Sequence, residues 1–252
     1  MKKSKIILAN CPDIESFEVV FSNSSLNLSA YENTLTGYWN DVIEDSNKAG
    51  IEVWDGLYYR LENIDELING AMQLQLSTVP YSTVRSLIKL KQSHNTLDSS
   101  YFSYHINTGA LISTSDDLFV FGQKTRQSGT QFIDLIGGGL QKDELTVKQV
   151  ADIKNNILKE AFEEANISSS MIDWVNLNSF VLTNTMSVII LFNIKLNVDK
   201  SQLLKAFESR VENELSGLEF FDKLDVGEFS RRENALSYLS LIPQLVKNYS
   251  VR

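Results

Sequence analysis

Near residue 160 the chain places three carboxylates on what the sequence predicts to be one face of one helix. In Lys159-Glu160-Ala161-Phe162-Glu163-Glu164-Ala165-Asn166-Ile167 the glutamates stand at positions i, i+3 and i+4, which share a helix side. Neighbouring carboxylates at this spacing repel by about 0.2–0.5 kcal/mol per pair. Asn166 is predicted to take the left-handed conformation that ends the helix, so two glutamates fall in its last turn. There the helix dipole opposes each negative charge by roughly 0.3–1 kcal/mol.

A hard divalent cation at these carboxylates would offset both penalties. Mg²⁺, with Mn²⁺ as a substitute, prefers oxygen ligands from carboxylates and phosphates. The nine residues alone are equally compatible with a solvated acidic face. The upstream Gly137-Gly138-Gly139 favours the metal site, because it ends a predicted strand and glycine lets a backbone approach a metal or phosphate closely. The sequence therefore predicts Glu160, Glu163 and Glu164 as metal-binding and catalytic residues.

From Gly138 to Ile167 the chain resembles the box motif of the Nudix hydrolase superfamily. That motif runs glycine, five residues, glutamate, seven residues, then Arg-Glu-U-x-Glu-Glu-x-Gly-U, where U is aliphatic. Gly138 and Glu144 match its first half, and the three predicted ligands match the glutamates of its second half. The resemblance implies an α/β fold, a Nudix α/β/α sandwich with a mixed sheet, in which a bound Mg²⁺ assists water attack on a nucleoside diphosphate.

The chain departs from this motif at three points. Fourteen residues instead of seven separate Glu144 from Lys159. The excess equals about two helical turns and predicts a helix lengthened at its N-terminus, so Glu144 is not counted as a ligand. Lys159 replaces an arginine whose planar fork orients a glutamate, and Asn166 replaces a glycine that asparagine can imitate.

The resemblance also implies functional residues outside the glutamate helix. It places Lys124 and Arg126 near the substrate phosphates together with Gly138, although solvated loop cations are an equal alternative. It further implies a fourth metal ligand from a late loop, for which Glu214 is the candidate and Glu212 its neighbour; ordinary helix surface is the alternative.

Flanking segments resemble the Nudix subfamily that hydrolyses UDP-glucose and UDP-galactose to UMP and a sugar 1-phosphate. The shared features are Cys11-Pro12, Tyr59-Arg60-Leu61, the run Ser115-Asp116-Asp117-Leu118-Phe119-Val120-Phe121, and Asn166 in the box. These hydrolases carry an N-terminal extension that shapes specificity, provides a homodimer surface or simply covers the sheet. The alternatives are a Nudix diphosphatase for ADP-ribose or another nucleotide, and a non-catalytic Nudix-fold ligand-binding or regulatory module.

Periodicity predicts two domains, an N-terminal α+β extension over 1–105 and the Nudix hydrolase domain over 106–252. Strands are predicted at 6–9, 17–21, 58–61, 110–114, 118–122, 132–136, 179–183, 187–196 and 218–221. Helices are predicted at 31–48, 82–91, 147–165, 201–215 and 233–249, with a capping box from Thr146 and Gln149 on the third. Tyr81 and Arg85 lie one helical turn apart. They are expected either to clamp a ligand or to pack at the domain junction, and packing is the favoured interpretation.

Composition restricts the partners and the compartment. The formal net charge is −9 without a basic cluster, which disfavours long nucleic acids and leaves a small nucleotide substrate open. The apolar run 188–192 is too short to span a bilayer, so no membrane partner is expected. The start of the chain is predicted to form a strand and not a signal peptide. The single cysteine, Cys11, cannot form an internal disulfide, which favours a reducing cytoplasm.

Overall fold

A computed structural model of the chain describes residues 4–9, 11, 17–50, 52–68, 71–94, 97–125, 129–229 and 232–246. Its strands are β1 (Lys5–Leu8), β2 (Phe17–Phe21), β3 (Leu57–Glu66), β4 (Met72–Pro80), β5 (Ile106–Ser113), β6 (Phe119–Thr125), β7 (Gln131–Asp134), β8 (Ile172–Leu182), β9 (Val188–Leu196) and β10 (Leu215–Phe221). Its α-helices are α1 (Glu32–Lys48), α2 (Tyr81–Ser93), α3 (Val150–Ala165), α4 (Lys200–Phe207), α5 (Val226–Phe229) and α6 (Ile242–Val246). None of the helices in these ranges is long and apolar enough to cross a membrane.

The larger sheet is mixed and lies between helices. Its strand order is β1-β8-β9-β5-β6-β10, with β7 paired to β6; β5 and β9 run parallel, whereas the other pairs are antiparallel. Alternation along a strand sends Ala110 and Ile190 into one apolar layer with α3, and Leu111 and Leu191 into another with α6. The predicted α/β sandwich with a mixed sheet is therefore confirmed.

The smaller sheet, in the order β2-β4-β3, forms an N-terminal unit together with α1 and α2. The sequence analysis missed β4, although Met72, Leu74 and Leu76 alternate with glutamines as a half-buried strand requires. β1 lies within 1–105 and yet pairs with β8 of the larger sheet. The proposed division between residues 105 and 106 stays a prediction.

Three predicted helices have different bounds. α3 begins at Val150 instead of 147, because Gln149 and Asp152 form the capping box that had been assigned to Thr146 and Gln149. α4 ends at Phe207 instead of 215. The predicted helix 233–249 is replaced by a 3-10 turn, Ser237–Leu241, followed by α6. Pro243, which has no backbone N–H, is tolerated in the first turn of α6 but not inside a continuous helix. Residues 247–249 lie outside the described ranges.

Candidate active site

The three predicted glutamates lie at the C-terminal end of α3, beside Gly137-Gly138-Gly139, which we call the glycine segment. The inner face of α3 is apolar and fully buried, which fixes the rotation of the helix about its axis; its residues include Ile153, Ile157, Ala161 and Ala165. Asn166 ends the helix with φ 54° and ψ 34°, as the sequence predicted, and its N–H is directed at the carbonyl of Phe162. This termination sets Glu163 and Glu164 in the last turn.

Glu160 lies directly against Gly138. A Cβ atom on Gly138 would stand 2.5 Å from Glu160 Oε2, so this approach requires a glycine. Within the described ranges the Glu160 carboxylate makes no hydrogen bond or ion pair. Burial, together with Glu163 and Glu144, raises the pKa of Glu160 to about 7 against the opposing effect of Lys159. The structure therefore presents Glu160 as an unpaired carboxylate at the glycine segment.

Glu164 is buried and fully engaged. Its side chain is 1% exposed; the Lys124 ammonium lies 2.7 Å from Oε1, and the Gly137 N–H donates to Oε2 at 3.1 Å. Burial raises the pKa of Glu164 to about 7, although Lys124 and the Gly137 N–H act in the opposite direction. Burial alone would lower the pKa of Lys124, but Glu164 raises it on balance. Lys124 is thus the counter-ion of Glu164, and its role at the substrate phosphates stays a prediction.

Lys159 joins Glu163 to Glu144. Its Nζ lies 2.8 Å from Glu144 Oε2 and 3.3 Å from Glu163 Oε2. Glu144 was not counted as a ligand because of its spacing, but in the structure it lies in the site through its contact with Lys159. We call Glu144, Glu160, Glu163 and Glu164 the glutamate cluster. Of the fourteen residues between Glu144 and Lys159, residues 145–149 form a loop and residues 150–158 belong to α3, which begins three residues later than predicted.

The Tyr59 phenol holds that loop in place. Its hydroxyl donates to the Leu145 carbonyl at 3.1 Å and accepts from the Val147 N–H at 3.0 Å. Tyr59 itself is 1% exposed and belongs to β3 of the N-terminal unit. A single side chain therefore satisfies two backbone groups of the loop that carries Glu144.

The late loop also reaches the cluster. Glu214 Oε2 lies 3.4 Å from Lys124 Nζ, and the Glu212 N–H donates to the Glu163 carbonyl at 3.0 Å. The roles of both glutamates as metal ligands stay predictions. Arg126, the other predicted phosphate ligand, lies outside the described residues.

The donor atoms of the cluster fit a hard cation by their chemistry, since all are carboxylate oxygens. Over the described residues, however, no three Asp, Glu, His or Cys side chains are gathered closely enough to hold a metal ion. The ammonium groups of Lys124 and Lys159 supply the positive charge between the carboxylates instead. Metal binding at these residues would have to compete with the two lysines.

A cavity of about 300 Å³ lies against the glycine segment, and the sequence analysis did not anticipate it. Apolar side chains, among them Leu135, Ile189 and Leu236, line part of its wall. The polar part of the wall comes from the glycine segment and from neutral hydroxyl and amide side chains, namely Asn107, Thr108, Asn184, Thr185, Ser187 and Ser237. It contains no lysine or arginine from the described ranges. Asp134, the one carboxylate among the described residues of the wall, accepts a hydrogen bond from Tyr238, and burial raises its pKa. The lining therefore suits an uncharged polar group.

Comparison with known proteins gives a likeness to solved structures alone. No protein-family model matches the chain, and no curated protein matches it. A hydrolase of the NUDIX family from Clostridium perfringens is 14% identical, over 58% of this chain and 99% of that one, with a TM-score of 0.39. A NUDIX hydrolase from Nitrosomonas europaea is 11% identical, over 57% and 86%, with a TM-score of 0.35. A putative Nudix hydrolase is 12% identical, over 82% and 95%, with a TM-score of 0.43. Likenesses this weak leave family and activity open.

The raised pKa values predict how the metal-free protein responds to pH. The folded state holds protons on Glu160 and Glu164 up to about pH 7, whereas the ordinary glutamate value is 4.5. Folding therefore takes up protons in this window, and the contribution of these groups to stability falls as pH rises from about 4.5 to 7. Glu160→Gln removes one such group. We therefore expect the free energy of unfolding of the variant, relative to that of the unaltered protein, to be higher at pH 8 than at pH 5.

Urea unfolding in EDTA at both pH values measures this gain. Taking the difference between the two proteins cancels the opposing effect of His105, whose pKa burial lowers to about 4. A stability difference that is the same at both pH values would contradict the burial of Glu160 against Gly138.

Proposed function

We propose that this protein is a Mg²⁺-dependent Nudix hydrolase that cleaves the diphosphate of a nucleoside-diphosphate sugar. The substrate is UDP-glucose or UDP-galactose, and the products are UMP and a sugar 1-phosphate. The observation that carries the proposal is the seating of α3 on the glycine segment, with Glu160 against Gly138 and Glu164 on the Gly137 N–H. The motif resemblance requires a glycine before these glutamates, and Glu160 and Glu164 both lie against the glycine segment although they are more than twenty residues away in sequence.

The residues that would hold Mg²⁺ are Glu160, Glu163 and Glu164, with Glu214 from the late loop. When bound, the cation supplies positive charge against the diphosphate. Glu160 is the cluster carboxylate without a partner among the described residues, and it accepts the proton of the attacking water. Water adds to one phosphorus, and the bridging P–O bond breaks to release UMP and the sugar 1-phosphate. Glycine at position 138 lets the Glu160 carboxylate lie directly against the backbone of the glycine segment.

The neutral cavity supports a substrate with an uncharged polar half. Phosphates bind where cations and backbone N–H groups are available, whereas the cavity offers hydroxyl and amide groups without a described lysine or arginine. Because the glycine segment borders both the cavity and the glutamate cluster, one ligand can place its diphosphate at the glutamates and its sugar or base in the cavity.

The proposal is tested by UMP release from UDP-glucose with Mg²⁺ or Mn²⁺, with ADP-ribose in parallel and EDTA as the control. Metal-dependent UMP release with little cleavage of ADP-ribose supports the site and the substrate class. A preference for ADP-ribose retains the diphosphatase chemistry and rejects the UDP-sugar assignment.

A non-catalytic Nudix-fold module is the second candidate, and the two lysines favour it. Lys124 and Lys159 already neutralise carboxylates that a metal would otherwise need to neutralise. Binding of nucleotides without turnover on a broad substrate panel would establish this candidate in place of the first.

A further inference from the structure

The N-terminal unit forms one wall of the candidate site. β3 hydrogen-bonds to the segment that follows the glycines: the Tyr59 N–H donates to the Leu140 carbonyl at 2.9 Å, and the Lys142 N–H donates to the Leu57 carbonyl at 2.7 Å. Alternation along β3 directs Tyr59 into the core and Tyr58 to the opposite side. A Cβ atom on Gly139 would stand 2.3 Å from Tyr58 Cε1, so the Tyr58 ring covers the last glycine of the segment.

The Tyr58 hydroxyl is a hydrogen-bond donor at the edge of the glycine segment. It makes no hydrogen bond to the residues that the structure describes. Burial, together with the nearby Tyr81, Glu144 and Glu160, raises the pKa of Tyr58 to about 12, which places the phenol among the acidic groups of the site. The hydroxyl therefore stays protonated at neutral pH and can donate to an anion that enters beside Glu160.

Arg85 extends this wall through Tyr81. The Tyr81 ring stacks on Tyr58 with centroids 5.7 Å apart and an interplanar angle of 23°. One turn further along α2, Arg85 Cζ lies 5.9 Å from the Tyr81 centroid. Trp39 packs edge-on against Tyr81, and Asp55 caps the start of α2 by accepting from the Ser82 N–H at 2.7 Å. The arginine is therefore presented from an anchored helix end.

Arg85 forms no ion pair with the residues that the structure describes. It is exposed and has no acidic partner within the described ranges, whereas Lys124 and Lys159 each contact two carboxylates. It is near enough to Tyr58 to act on that residue's pKa. The glutamate cluster and the net charge of −9 repel an anionic ligand, so a phosphate needs an unpaired cation close by. The planar guanidinium fork matches two phosphate oxygens.

We propose that Tyr58 and Arg85 bind the phosphate oxygens of the substrate, and that the N-terminal unit is therefore part of the active site. This assignment rests on the proposed function for the identity of the ligand as a nucleoside diphosphate. The sequence favoured junction packing for both Tyr81 and Arg85. In the structure Tyr81 packs at the junction, whereas we assign Arg85 to phosphate binding.

The test uses the full chain with Arg85→Gln, Arg85→Lys and Tyr58→Phe. Two quantities are measured: KM and kcat for UDP-glucose with Mg²⁺, and the Kd of UDP by calorimetry. We expect Arg85→Gln to raise both KM and Kd about 10- to 100-fold with kcat changed by less than about threefold, because a charged hydrogen bond to the ground state is lost. Tyr58→Phe keeps the ring stack and removes the hydroxyl, so a loss of UDP affinity without a change in melting temperature assigns binding to the hydroxyl. Arg85→Lys restores affinity in part, since lysine has no fork.

Lys89→Gln is the matched control. Lys89 lies on the same helix, but its ammonium pairs with the Asp41 carboxylate, at 2.5 Å, and not with the glutamate cluster. It should leave the KM and the Kd unchanged. UDP affinities of Arg85→Gln and Tyr58→Phe that equal the wild-type value overturn the inference, whereas the proposed function stands if UMP is still released. If no nucleotide sugar is cleaved but UDP binds and Arg85→Gln weakens it, the binding wall is supported and the proposed hydrolysis fails. A wild-type protein that binds no UDP overturns both.

Discussion

Glu163→Gln is expected to lower metal-dependent turnover by at least about 100-fold and to leave the fold intact. The Glu163 side chain is partly exposed and contacts Lys159 at 3.3 Å, whereas its backbone carbonyl accepts from Glu212 independently of the side chain. Glutamine preserves size and removes the charge that a metal would require. The metal-free variant should also be more stable by roughly 0.3–1 kcal/mol, because a negative charge leaves the C-terminal turn of α3.

Initial rates with Mg²⁺ and a melting curve in EDTA measure the two effects. Glu44→Gln is the matched control, since Glu44 also pairs with a lysine in a helix, Lys48 at 2.7 Å, on a solvent-exposed face of α1. Its rate should equal that of the unaltered protein. An unchanged rate in the Glu163→Gln variant would contradict the assignment of the glutamate cluster as the active site.

Gly137→Ala is expected to destabilise the protein by at least about 3 kcal/mol, combining a strained backbone with a steric clash. Gly137 has φ +148°, and an added Cβ would stand 2.2 Å from the Thr108 carbonyl oxygen. That oxygen is backbone in the middle of the larger sheet, where the Thr108 N–H donates to the Gly138 carbonyl at 2.8 Å, so it cannot move aside. Urea unfolding measures the loss.

Gly138→Ala tests the site with little expected effect on the fold. The atoms nearest to the new methyl would be those of the Glu160 carboxylate, which is the end of a side chain and can rotate away. We expect stability to stay within about 1 kcal/mol of the unaltered protein and turnover to fall about tenfold or more as Glu160 is displaced. Equal stability of the Gly137 and Gly138 variants would show that the glycine segment is not packed on β5 as described.

The helix part of the site could be predicted because its determinants are local. Spacing alone puts Glu160, Glu163 and Glu164 on one face, and the preference of asparagine for the left-handed region predicted the helix end at Asn166. Glu144 was set aside because its link to Lys159 depends on the path of a loop, which spacing does not encode. The engagement of Lys124 by Glu164 depends on a contact between β6 and α3, which are distant in sequence.

The cavity and the contact of Tyr58 and Tyr81 with the site could not be predicted from local sequence patterns for the same reason. The cavity is assembled from β5, the glycine segment, the turn between β8 and β9 and residues 236–238, so no single segment carries its signature. β4 was a different kind of miss, since its alternation was present in the sequence. The misplaced final helix reflects apolar spacing that Pro243 interrupts.

The two hydrogen bonds of the Tyr59 phenol also have a dynamic consequence. Because β3 and the loop before α3 share this side chain and the backbone bonds to Leu140 and Lys142, neither can open without breaking the other's hydrogen bonds. We therefore expect the two segments to open together in hydrogen exchange. A ligand that rigidifies the loop will slow deuterium uptake throughout β3, and the amides of a strand far away in sequence will report the occupancy of the site.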